Sequence, residues 1–295
     1  MMDLAMRRRY FAEELEAVCK LRSPHLVNAF ATVPREQYLG PGPWTVLAES
    51  LFQPGAPGAG LGLRLTPDAD PARVYHNIAV AIDPARQLFN GQPGTLAVWI
   101  DTLDLAPGAR VLHVGSGLGY YTAVIAQAVG SSGRVVAFEV DEALAAGATR
   151  NLASMPWVDV RCGDASQVMG ESFDAIMVNA GVTHPLDVWL DALGPDGRMI
   201  LPITATMPAM GPTLGKGLVF VLTREDETSL AARVLTVVAV YSAVGLRDEQ
   251  LNGALGKAMM AGPAQWQAVK RLRRDTHEPA ASCWYHAPTC CLSTG

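Results

Sequence analysis

The chain has 295 residues, 49% of them hydrophobic and 17% charged, with a formal net charge of −5. This is enough apolar material for a sizeable packed core, and the acidic balance speaks against a nucleic-acid partner, which demands a basic surface. No run of about 18 apolar residues is free of charge, so no membrane span and no membrane partner are expected.

Taken in chain order, residues 3–22 carry the helical spacing Leu4, Phe11, Leu15 and Val18, and a second helix is expected between Pro24 and Pro34. No apolar segment follows Arg7-Arg8-Arg9, so a secretory signal is not expected. The segment 39–72 concentrates glycine and proline and reads as an irregular or partly mobile loop. Residues 73–83 predict a short extended piece and 94–103 a helix. From Leu105 onward strands and helices alternate: strand 109–115, helix 120–130, strand 133–141, helix 142–155, strands 158–164 and 173–181, helix 184–194, strand 197–203. That rhythm predicts an α/β fold, a doubly wound, Rossmann-like, mostly parallel sheet. Two β-branched runs around "DETS" (226–229) predict an antiparallel hairpin. A helix near 247–274 and an irregular tail are expected to follow. The expected division is 1–104, an N-terminal helical and loop region covering an acceptor site; 105–245, the Rossmann-like domain; and 246–295, the C-terminal helix and tail.

The stretch "VLHVGSGLGYYTAVIA" (111–126) sets Gly115, Gly117 and Gly119 between a strand and a helix. Such a loop bares N–H groups at the carboxyl edge of a sheet, beside a helix N-terminus, where an anionic or polar ligand group binds. Tyr120 stands where a nicotinamide fingerprint has glycine, and no G-K-[ST] follows, so neither a dinucleotide motif nor a phosphate loop is complete. The next strand ends in Glu139, an acid placed to accept ribose hydroxyls. The third ends at Asp164, placed near an adenine edge, and the fourth at Asn179. Four successive strand ends carrying glycine, acid, acid and amide predict a cofactor cleft at the switch point.

Three segments, "VPREQYLG" (33–40), residues 91–126 and residues 173–203, resemble the protein-L-isoaspartate O-methyltransferase family of class I S-adenosylmethionine-dependent methyltransferases. The resemblance implies methyl transfer from S-adenosyl-L-methionine to a carboxylate of a damaged protein or peptide. It implies cofactor contacts from Gly115, Ser116, Gly117, Leu118, Gly119, Tyr120, Thr122, Glu139, Val140, Asp164, Ala165 and Asn179. Gly91 stands where the family carries a hydroxyl residue just before its Gln-Pro, and His113 where it usually has an acid. These departures leave two further readings open: a methyltransferase acting on a small-molecule hydroxyl or amine, and a non-catalytic binding protein that keeps the cofactor fold. A carboxylate acceptor, with a pKa of about 4, is already ionised and needs no general base, whereas a hydroxyl or amine needs one.

Individual residues carry paired readings. Gln92 hydrogen-bonds the acceptor or the methionine moiety, or it caps the following helix. His113 is a satisfied core histidine or a base. One of Tyr120 and Tyr121 is expected to pack inward and the other to line the mouth, and Thr122 donates to the methionine carboxylate or packs. His76 and Asp83 line an acceptor pocket or sit on the surface, and His184 begins a helix. The five cysteines, Cys19, Cys162, Cys283, Cys290 and Cys291, suggest no disulfide framework and so a cytoplasmic location. Cys283, His286, Cys290 and Cys291 form a C-x-x-H with a neighbouring C-C, read as buried thiols rather than zinc ligands; no metal is expected.

Overall fold

The computed structural model describes residues 3–47, 62–168, 170–206 and 213–295. They gather into two compact units. One takes the chain up to Gly108 with Ser116–Arg134 and Asp141–Val160; the other takes Ala109–Gly115, Val135–Val140 and Arg161–Gly295.

In the first unit, helices α1 (Leu4–Cys19) and α2 (Pro24–Thr32) meet at a corner held by a carboxylate from α3 (Pro93–Thr102). Asp101 is buried; its Oδ1 accepts the Arg22 and Ser23 amides at 3.0 and 2.9 Å, and its Oδ2 accepts Arg22 Nε at 3.1 Å. Ser23 Oγ in turn accepts the Leu26 amide, and Pro24 fills the first helical position, the residue pair that opens a helix. Strands β1 (Thr45–Leu47), β2 (Leu63–Leu65), β3 (Ala79–Asp83) and β4 (Leu88–Phe89) make a small antiparallel sheet in the order β2-β1-β3-β4. The segment 39–72, expected to be irregular, therefore contributes two strands whose only announcement is three residues each; its residues 48–61 lie outside the described residues. Helices α4 (Tyr120–Val129) and α5 (Glu142–Asn151) complete the unit. Asp141 Oδ1 caps α5 by accepting the Leu144 amide at 3.0 Å, while Arg86 bridges Asp141 and Asp83 at 2.5 and 2.6 Å. Asp83 is thus a paired surface group.

The large sheet, most of whose residues fall in the second unit, has strands β5 (Arg110–Val114), β6 (Arg134–Glu139), β7 (Val158–Cys162), β8 (Phe173–Val178), β9 (Leu193–Thr206), β10 (Leu214–Arg224), β11 (Ser229–Tyr241), β12 (Arg271–Arg273), β13 (Cys283–His286) and β14 (Cys291–Ser293). Their order is β13-β14-β12-β11-β10-β9-β8-β5-β6-β7. From β5 the strands run outward through β6 and β7, then resume on the other side with β8 and β9. This reversal beside β5 is the switch point of a doubly wound sheet, in agreement with the expected α/β class. β5, β8 and β9 pair in parallel, with Val111 opposite Ala175 and Ile176 opposite Met199. Leu112, Val136, Ile176 and Met199 are all fully buried, as the unbroken apolar runs of central parallel strands require. The expected hairpin is β10–β11, antiparallel from Leu214↔Tyr241 to Arg224↔Leu230. Helix α6 (Asp187–Ala192) starts three residues after His184, whose Nδ1 lies 3.0 Å from Thr183 Oγ1; His184 does not open the helix.

The last fifty residues differ from expectation. The helix near 247–274 is two helices, α7 (Glu249–Met260) and α8 (Pro263–Gln267), broken where Gly262 takes φ +98° ahead of Pro263. The segment read as an irregular tail makes β12, β13 and β14, added to β11 through Leu230↔Leu272 and Leu272↔Leu292. Leu230, Leu272 and Leu292 are buried. Tyr285 Oη donates to Thr183 O at 2.9 Å and Trp284 Nε1 to Ala258 O at 3.2 Å.

Candidate active site

In the second unit, three backbone hydrogen bonds stitch four strand ends together. Asn179 N donates to Val114 O at 2.8 Å, Gly115 N to Phe138 O at 2.8 Å, and Gly163 N to Glu139 O at 2.9 Å. Adjacent strands lie about 4.8 Å apart, so Gly115, Glu139, Asp164 and Asn179 stand in a row along the carboxyl ends of β8, β5, β6 and β7. Gly115 has φ +82°, and a Cβ there would come within 3.2 Å of Asn179 O; Asn179 Nδ2 reaches Gly115 O at 3.4 Å. Glycine is thus demanded by the protein's own backbone as well as by any ligand. Glu139 is 8% exposed and Val140, next to it, 44%. Asp164 Oδ1 accepts Ser166 Oγ at 2.6 Å and the Ser166 amide at 3.0 Å, and these bonds hold its carboxyl below the usual range, so it stands as an anion.

The side chains of Ala165 and His113 are buried. Ala165 is fully buried, and its carbonyl accepts Trp189 Nε1 at 3.1 Å. His113 is fully enclosed on β5, and burial pushes its pKa down to about 4. A side chain with no accessible surface has no face for an acceptor, so the position argues for the core reading and against a base.

In the first unit, the loop leaving Gly115 continues through Ser116, Gly117 and Leu118 to Gly119. Gly119 N closes a turn onto Ser116 O at 2.9 Å; Gly117 and Gly119 take φ +57° and +94°. A Cβ on Gly119 would lie 2.8 Å from Leu152 Cδ1. Ser116 Oγ is buried without a hydrogen-bond partner among the described residues. A native protein rarely leaves such a group unmet. Thr122 has no exposed surface. Tyr120 and Tyr121 are 2% and 3% exposed, so both pack inward and neither lines a mouth.

At the turn before α3 the capping reading of Gln92 does not hold. Gln92 occupies the N-cap position without a capping bond; its Nε2 donates to Asn77 O and its Oε1 accepts Thr95 Oγ1, both at 3.3 Å. The cap comes from Asn77, whose Oδ1 accepts the Gly94 amide at 2.7 Å. Gly91 has φ +79°, and a Cβ there would sit 2.9 Å from Leu96 Cδ2.

Sequence reasoning also missed Arg35, inside the "VPREQYLG" element. Its guanidinium is fully buried and donates to the carbonyls of Val74, His76 and Ile78 at 2.6, 3.1 and 2.7 Å and to Asn90 Oδ1 at 3.2 Å. It also lies 5.6 Å from the Tyr120 ring centre. The signal available was an arginine amid apolar neighbours, but its acceptors are some forty to fifty-five residues away. His76 is half-buried, with its pKa lowered by burial and by nearby Arg7.

The family model for protein-L-isoaspartate(D-aspartate) O-methyltransferase (PCMT) matches residues 65–212. Protein-L-isoaspartate O-methyltransferase 1 of Rhodopseudomonas palustris is 32% identical over 209 residues, which are 70% of this chain and 72% of that protein. The Thermotoga maritima protein-L-isoaspartate O-methyltransferase is 28% identical over 196 residues, 64% of this chain; the chain spans 54% of that relative's length. Among solved structures, a protein-L-isoaspartate O-methyltransferase superposes with a TM-score of 0.62 at 24% identity, covering 84% of this chain and 69% of the other. A Plasmodium falciparum PCMT, solved in complex with S-adenosyl-L-homocysteine, gives a TM-score of 0.57 at 18% identity, covering 80% and 97%. The fold, the row of strand ends and these matches together place the chain in the protein-L-isoaspartate(D-aspartate) O-methyltransferase family.

Proposed function

We propose that this chain is an S-adenosyl-L-methionine-dependent O-methyltransferase whose acceptor is a carboxylate of a damaged protein or peptide. The observation that carries the reading is the row Gly115, Glu139, Asp164, Asn179, stitched across adjacent strand ends. Family membership supports the same chemistry.

Bound S-adenosyl-L-methionine supplies a methyl already activated by its sulfonium. The chain has to bind, orient and exclude water. When the cofactor is bound, Glu139 would accept from the ribose hydroxyls and Asp164 from the adenine amino group, and the glycine loop would offer N–H groups to the methionine part, where Ser116 Oγ would gain a partner. Leu118 and Val140 supply apolar contact. The acceptor carboxylate is ionised and needs no base, which fits an enclosed, neutral His113. Gln92 is the candidate acceptor contact: its bonds to Asn77 O and Thr95 Oγ1 are long, at 3.3 Å.

A second reading, a small-molecule hydroxyl or amine acceptor, draws on Gly91 alone, where the family has a hydroxyl residue. We place the protein in the cytoplasm, on the strength of five free thiols; no helix among the described residues is long and apolar enough to cross a membrane.

Calorimetric titration with S-adenosyl-L-homocysteine tests the cofactor, and methyl transfer to an isoaspartyl peptide against a panel of hydroxyls and amines tests the acceptor. Glu139→Ala should weaken cofactor binding about tenfold or more, as loss of a charged hydrogen-bond acceptor does. Unchanged binding would sink the reading.

A further inference from the structure

The strands that close the second unit bring together four side chains the proposed methyl transfer does not use. His277, Cys283, His286 and Cys291 each place one ligand atom within 4.8 Å of the others. We propose that these four residues form a structural zinc site, independent of the cofactor. The sequence cluster Cys283, His286, Cys290 and Cys291 reads as buried thiols with no metal; the fold brings in His277 and leaves out Cys290. Cys290 is buried beside the cluster but outside it.

The donor set is two thiols and two imidazoles. As thiolates, the cysteines balance the charge of a divalent ion, and a closed S₂N₂ set is what tetrahedral zinc takes. Zinc–sulfur bonds of about 2.3 Å and zinc–nitrogen bonds of about 2.0–2.1 Å set ligand atoms roughly 3.3–3.8 Å apart. Cys283 Sγ and His277 Nε2 already stand 3.4 Å apart. The His277 and His286 rings are 4.9 Å apart and nearly perpendicular, at 82°. His286 and Cys291 are direct cross-strand partners in the β13–β14 pair. Small side-chain rotations would draw in the remaining separations.

The surroundings match what a metal ligand needs. His277 Nδ1 lies 2.9 Å from Asp275 O, and donation to that carbonyl leaves Nε2 as the bare nitrogen facing Cys283. The Ala280 amide donates to Cys283 Sγ at 3.3 Å, as it would to a thiolate. A separate observation points the same way: His286 Nδ1 is buried and has no hydrogen-bond partner among the described residues. A buried nitrogen without a partner is costly, and coordination would satisfy it. His277 and His286 also line a surface hollow of about 310 Å³, which gives an ion a path inward.

The role follows from the elements involved. β12, β13 and β14 are three or four residues long, too short to be stable alone. Four ligands from the loop at 277 and from both outer strands would clamp this edge to the sheet, since metal affinity for a site that exists only in the folded state is folding energy.

The test uses the full chain expressed with zinc and dialysed extensively. Elemental analysis should find about one zinc per chain, retained in Cys290→Ser and lost, with affinity down about tenfold or more, in Cys283→Ser and His277→Ala. Cobalt loaded into the intact chain should give the intense visible bands of a tetrahedral site with a thiolate charge-transfer band, a readout that holds even if the variants fail to fold. A chelator should lower the melting temperature. An intact chain that takes up no zinc or cobalt, or a Cys283–Cys291 disulfide in freshly purified protein, overturns the proposal. So does equal zinc retention in Cys283→Ser and Cys290→Ser.

Discussion

The Tyr121 hydroxyl donates to the Gly91 carbonyl at 3.1 Å, tying the first turn of α4 to the turn that precedes α3. The link bears on the residue that departs from the family. Gly91 sits at φ +79° with the Leu96 side chain where its Cβ would be. Restoring a hydroxyl by Gly91→Ser forces a β-carbon into the left-handed region and against Leu96, so it should lower stability by about 1–3 kcal/mol. Chemical denaturation measures the loss. Methyl transfer to an isoaspartyl peptide should not rise in this variant, and a gain would show that Gly91 is a loss rather than an adaptation.

Ser116→Ala separates binding from folding. The Ser116 hydroxyl is buried without a partner among the described residues, so removing it should leave unfolding free energy within about 0.5 kcal/mol of the parent, or raise it. Affinity for S-adenosyl-L-homocysteine should fall about three- to tenfold, the worth of one hydrogen bond. Calorimetry of the two proteins side by side reads both quantities.

His113 predicts an acid-side dependence of stability. Burial lowers its folded-state pKa to about 4, against about 6.5 unfolded. Above pH 6.5 the imidazole is neutral in both states and costs nothing. As pH falls from 6.5 toward 4 the unfolded chain takes up a proton that the folded chain refuses, and stability declines by about 3 kcal/mol in all. Urea midpoints measured across that window should show the decline, and His113→Asn should flatten it.

Arg35→Lys keeps the charge and loses the fork. One ammonium cannot serve three carbonyls and an amide spread over Val74 to Asn90, so about 2–4 kcal/mol should be lost and the segment around β3 should exchange its amides faster. Hydrogen exchange read by mass spectrometry locates the effect; protection changing instead around β10 would contradict it.

The glycine loop, the acid at 139 and the strand–helix alternation were legible in sequence because each is local: a buried strand is an apolar run, and a turn with φ above zero asks for glycine. What escaped was non-local. β1, β2, β12, β13 and β14 are three or four residues long, and their pairing is decided by a partner elsewhere in the chain. Asn77 caps α3 from seventeen residues upstream, a device no helix-start rule sees. Thr122 and His113 sit in the right motif yet face the interior, because a motif gives position along the chain and not the direction of the side chain. Cys290 and Cys291 stand together in the sequence cluster, and the fold brings only Cys291, the first residue of β14, into the group of four.

The bond between Asn179 and the carbonyl of Val114 has a kinetic corollary. The neighbouring pair Asn179 and Gly115 are 64 positions apart along the chain, so β8 reaches β5 only by closing that long span. Parallel pairing across such a span is slow to form and among the last contacts to be gained. Any small molecule seated on that row of strand termini would therefore recognise only chains that have finished folding, and its presence during refolding should raise the yield by mass action without hastening the earlier steps.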